Sequence, residues 1–134
     1  MPDWFKVYVG LETEVSSLRV YESELVDGLL QTADYYRAFL GAAPAAGSDE
    51  EVERKIAVRL ARQERLTGDD PPAYWAVLNE AVIRRTVGGA EVMRKQLDRI
   101  AELAELSHVT VQVLPFSAGA HPAMDGTFRI LVIR

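Results

Sequence analysis

HVTVQVLPFSAGAHPAMDGTF, His108 to Phe128, is the stretch on which the reading of the fold turns. Val109, Val111 and Val113 alternate with Thr110 and Gln112, the period-2 pattern of a strand with one buried face. Pro115 closes that strand, and Gly119, Pro122 and Asp125-Gly126 carry turn chemistry before a new apolar run from Thr127 to Ile133. The spacing predicts two strands, 109–114 and 127–133, that present a loop between them. Ser117 to Gly126 is longer than the roughly two to five residues of most hairpin loops. It also holds His121, Met124 and Asp125, so part of a binding surface is expected there.

Upstream of this stretch, Ala90 to Leu106 reads as an amphipathic helix after the Gly88-Gly89 break. Val92, Met93, Leu97, Ile100 and Leu103 share one side, with Glu91, Arg94, Asp98 and Glu105 opposite. Tyr74 to Ile83, rich in strand formers after Pro71-Pro72, reads as a strand. Ser48 with Glu51 forms a capping box that starts a long helix ending near Thr67-Gly68, with Val52, Ile56 and Leu60 as its buried stripe. Gly41 to Ser48 is a small, flexible linker inside one domain spanning residues 1–134. Thr32 starts a helix loaded with Tyr35, Tyr36, Phe39 and Leu40, and Leu11, Val15 and Leu18 suggest a short helix over Glu12 to Leu18. Arg19 to Glu22 stays ambiguous. The expected fold is α+β, a single domain of about four helices packed on a small, mostly antiparallel sheet.

The chain has 134 residues, a formal charge of -5 and a pI near 5.0, so a general attraction to nucleic acid is absent. Zero cysteines exclude disulfides and thiol catalysis. No run approaches the roughly 20 apolar residues of a membrane span, and the N-terminus lacks a signal-peptide pattern, so a cytoplasmic address is expected.

Candidate site residues come from polar groups in apolar positions. Gln63 falls inside the apolar arc between Val52 and Ile56 with Arg59 at its edge, and Glu80 shares a strand face with Leu78 and Val82. An Arg59–Glu80 pair is therefore expected. It would either fix helix on sheet or, with Gln63, line a pocket. The aromatic set Trp4, Phe5, Tyr8, Tyr21, Tyr35, Tyr36 and Phe39 reads mostly as core, with Tyr35 and Tyr36 as candidate walls of a site. His121, four residues before Asp125 and near Ser117, offers a local acid/base pair, though such residues are also ordinary turn formers. Neither His108 nor His121 has zinc-ligand spacing, and no phosphate-loop motif occurs. The expectation is no catalytic residue, no metal and no cofactor, with Arg59, Gln63, Glu80, Tyr35, Tyr36, His121 and Asp125 as binding residues.

Taken with GLLQTADYYRAFL at 28–40 and LNEAVIRRTVGGAEVMRKQL at 78–97, the 108–128 segment resembles the C-terminal domain of antitoxin-like transcriptional regulators from filamentous actinobacteria. Those regulators carry an N-terminal XRE-type helix-turn-helix. The resemblance runs from about Trp4 to the last residue. It implies a non-enzymatic sensory or partner-binding domain, whose partner is a small companion protein or a small-molecule ligand. No nucleic acid or membrane binding by this chain is implied, and a homodimer is a further option. The family's DNA-binding domain and its C-terminal extension are both expected to lie outside this chain. The alternative is a free-standing small-molecule binder, recruited to a biosynthetic pathway as a cyclase-like enzyme that works by shaping its substrate.

Overall fold

The computed structural model describes residues 14–43 and 47–133, together with residues 3, 4, 6, 7 and 10. Val15–Glu22 forms β1, Ala33–Ala42 α1, Asp49–Thr67 α2, Ala73–Asn79 β2, Glu80–Arg84 α3, Ala90–Ala104 α4, Val109–Leu114 β3 and Phe128–Ile133 β4. The starts of α1 and α2 obey local chemistry. Thr32 Oγ1 accepts from the Tyr35 amide at 3.1 Å and Ser48 Oγ from the Glu51 amide at 3.2 Å, each satisfying a donor the first turn leaves open.

The strands lie in the order β3-β2-β1-β4, with β1, β2 and β3 parallel and β4 antiparallel to β1. The two crossovers, β1 to β2 and β2 to β3, step in the same direction across the sheet. Right-handed connections of that kind pass over the same side. One side is accordingly covered: Leu18, Val20, Tyr74, Ala76, Leu78 and Val109 pack with Leu30, Tyr35, Leu66, Val82, Met93, Ile100 and Leu103. The alternate residues form the other side, away from helices α1 to α4. There Trp75 is 41% exposed and Ile130 50%.

The α+β class stands, with four helices from Ala33 onward, but the sheet is mixed and two of its three pairings are parallel, because helical crossovers and not hairpins join β1, β2 and β3. The strands 109–114 and 128–133 are not a hairpin. They occupy opposite edges, so residues 115–127 must cross three strand spacings, about 14 Å, which accounts for the segment's length. Val15 to Leu18 is strand, not helix, its i, i+3 apolar spacing coinciding with a bulge between Val15 and Ser17; Leu11 and Glu12 lie outside the described residues. The segment 74–83 divides, because Leu78 and Val82, four apart, also fit a helical phase, and α3 begins at Glu80. Gly41 and Ala42 belong to α1 and Ser48 caps α2, so the linker contracts; residues 44–46 lie outside the described residues. Two helix stripes turn slightly from expectation. Leu60 and Leu97 are exposed, while Arg59 and Gln63 turn inward and Gln96 is buried, because a loop described below needs their hydrogen bonds.

Candidate functional site

The three parallel strands end together at Glu22, Asn79 and Leu114, the end of an α/β sheet where ligands ordinarily bind. The 115–127 segment runs over this end. Pro115 opens it, a 3-10 turn covers Phe116–Ala118, and Gly119 then takes φ 72°, a left-handed conformation that suits glycine. Glu80 Oε1 accepts from the Phe116 amide at 2.8 Å. That bond first, and Arg84 second, hold the Glu80 carboxyl below its ordinary range. At the far end the Ser23 amide donates to Thr127 Oγ1 at 3.2 Å, and Asn79 Nδ2 donates to the Ser23 carbonyl at 3.1 Å. Between these ties His121 meets the Tyr21 ring edge-on at 5.5 Å, and its Nδ1 accepts from the Ala123 amide at 3.1 Å.

Two adjoining hollows share Tyr21, Leu114, His121 and Ala123. One, of about 310 Å³, sits over the strand ends beside Ser23, Glu24, Asn79 and Phe116. The other is a trough of about 360 Å³ on the open side of the sheet, with Arg19, Trp75, Val77, Phe128 and Ile130 in its wall and floor. Its indole is fixed in place: Trp75 Nε1 donates to Gln112 Oε1 at 2.8 Å, and the Arg19 guanidinium lies 5.5 Å from the ring centre.

On the covered side, Glu22 and Asp27 are buried carboxyls facing Arg129 of β4. Arg129 Nη2 pairs with Asp27 Oδ1 and lies 3.6 Å from Glu22, and the Tyr74 hydroxyl donates to Asp27 Oδ2 at 2.5 Å. Burial, with the Asp27 charge beside it, pushes the Glu22 carboxyl up to about 8. The same two causes hold the Tyr74 hydroxyl well above its ordinary range, so it remains a donor. This cluster ties the loop after β1 to both β2 and β4.

That loop, residues 23–32, explains most of the predicted site residues. Gln63 Nε2 donates to the Gly28 and Gln31 carbonyls at 2.8 and 2.7 Å, and Arg59 Nη1 donates to Gln31 Oε1 at 2.8 Å while its guanidinium stacks 3.9 Å from the Tyr36 ring centre. The Tyr35 hydroxyl accepts from the Val26 amide at 3.2 Å, and Gln96 bridges the Leu30 carbonyl and Thr32 amide, both at 2.8 Å. Arg59, Gln63, Tyr35 and Tyr36 thus gather on one loop as its scaffold. The expected Arg59–Glu80 pair is not formed: Glu80 serves Arg84 and Phe116, on helix α3 and not on a strand. His121 reaches the trough. Asp125 is exposed on the same segment and makes no bond to His121. In the aromatic set Trp4 is exposed, Tyr21 and Tyr35 are buried, and Phe5 and Tyr8 lie outside the described residues.

Sequence reasoning missed Arg19, Trp75, Phe128 and Ile130, and the Glu22–Asp27–Arg129 cluster. A signal existed for two of these residues. Trp75 occupies the solvent phase between Tyr74 and Ala76, and Arg129 interrupts the apolar run FRILVI in its buried phase.

Residues 5–134 match the family model described as Domain of unknown function (DUF5753), and the chain belongs to that family. No curated protein and no solved structure matches it.

Proposed function

We propose that this DUF5753 domain is the non-enzymatic sensory or partner-binding half of a cytoplasmic, antitoxin-like transcriptional regulator, and that the open side of the sheet with the 115–127 segment is its recognition surface. One observation carries the reading: large apolar side chains stay half exposed on one side of the sheet, at Trp75, Phe128, Ile130 and Val132. Contiguous apolar surface of this kind marks contact sites. The chain's own charge of -5 disfavours DNA, so DNA reading is assigned to a separate XRE-type domain.

Hydrogen exchange on the chain with and without the small companion protein encoded beside such regulators tests this. Protection gained across 115–132 supports the reading. Protection confined to the helices moves the surface there. Sequence-specific retention of duplex DNA by this chain alone, at about 0.15 M salt, would overturn the division of labour.

A further inference from the structure

We infer that the trough on the open side of the sheet takes a flat aromatic ligand bearing a carboxylate, with Arg19 as the anion-recognising group. This rests on the reading of that surface as the recognition site. The first ground is shape: an indole held by Gln112 offers its ring beside Phe128 and Ile130, a flat apolar floor at the small end of ligand-site volumes. The second is the sign of the polar groups. In a chain with 20 acidic and 15 basic residues, no carboxylate lines the trough among the described residues. Arg37, Arg84, Arg94 and Arg129 each meet carboxylates, whereas Arg19 meets none among the described residues and stacks on Trp75 alone.

The third ground is His121. Its Nδ1 already accepts from the Ala123 amide, so in the neutral ring the proton sits on Nε2, a second donor at the trough's rim. A guanidinium fork and an imidazole N–H above an aromatic floor suit an anionic group on a planar frame. They disfavour a cation, which would find no counter-charge among the described residues that line the trough.

The test uses the full chain carrying Trp4→Phe, so that Trp75 supplies the one indole N–H signal in proton–nitrogen NMR. The probes are 2-naphthoate, neutral 2-naphthamide and cationic 2-naphthylmethylammonium. Naphthoate is expected to shift the Trp75 signal and to saturate at about tenfold lower concentration than the amide, with the cation weakest. Arg19→Gln should bring naphthoate down to the amide's level and leave the amide unmoved, which also shows that the variant is folded. Equal binding of naphthoate and amide, or a preference that survives Arg19→Gln, overturns the anion assignment and leaves the trough as a ligand site. No shift with any probe overturns the inference, while the exchange experiment with the companion protein decides the recognition surface separately.

Discussion

Each side of the sheet carries an exception to the usual arrangement of polarity. The covered side hides Glu22, Asp27 and Arg129 under helices, and the open side shows Trp75, Phe128, Ile130 and Val132 to solvent. Burying charge contributes little net stability even when paired, but it is strongly directional. The cluster joins three points that the chain must bring together: the end of β1, the loop after it, and β4. Apolar surface left uncovered is stable only as long as it is small, and it is useful when something fits it. The covered side therefore sets geometry, and the open side leaves apolar surface available for contact.

The comparison breaks most readily at Asp27. Asp27→Ala leaves Arg129 and the Tyr74 hydroxyl without their shared acceptor, and a loss of about 3 to 5 kcal/mol is expected in urea unfolding. A loss under about 1 kcal/mol would show the cluster to be solvated like the open side.

Next in size is a pH effect. Glu22 keeps its proton in the folded state up to about 8, whereas the unfolded chain releases it near the ordinary value of 4.5. The folded state thus binds more protons across that interval. Its stabilising share is complete below pH 4.5 and falls as pH rises to about 8, by about 1 to 3 kcal/mol after allowing for solvent relaxation. Denaturation midpoints at several pH values should decline accordingly, and Glu22→Gln should flatten the profile. A wild-type profile already flat over this range removes the proton from Glu22.

Trp75→Ala sharpens the contrast from the other side. Removing a half-exposed ring should cost about 1 kcal/mol or less, yet abolish the protection produced by a partner. A cost equal to that of Asp27→Ala would make Trp75 part of the core. The smallest effect is expected at Glu80. Glu80→Ala should speed exchange of the Phe116 amide by roughly 2- to 10-fold and leave the loop near Arg59 unchanged. In a double-mutant cycle, Arg59→Met and Glu80→Gln should be additive, since the two side chains have different partners.

Local chemistry was legible in the chain wherever it is settled by neighbours. The caps at Thr32 and Ser48, the helix ending at Thr67 and the strand at Val109 all follow from adjacent residues. What failed was decided at a distance. Val109–Leu114 and Phe128–Ile133 look like a hairpin until strands β1 and β2 are placed between them, and no local pattern reveals that insertion. Arg59 and Gln63 stand out as polar groups turned inward, but their partners are the Gln31 side chain for Arg59 and the Gly28 and Gln31 carbonyls for Gln63, contacts that have no sequence signature. His121 was found because it sits on a long loop. Arg19 and Trp75 were not, because the phase of a strand residue marks it as exceptional only once its face of the sheet is known to lie away from α1 to α4.

The placement of β4 beside β1 has a consequence in time. Arg129 and Asp27 are 102 residues apart, and at roughly 5 to 20 residues per second a ribosome needs about 5 to 20 s to travel between them. During that interval β1 can pair with β2, while its other edge and two buried carboxyls await a strand not yet made. The nascent chain thus exposes an unpaired strand edge until β4 emerges, and that is when a chaperone or a premature partner would have its opening.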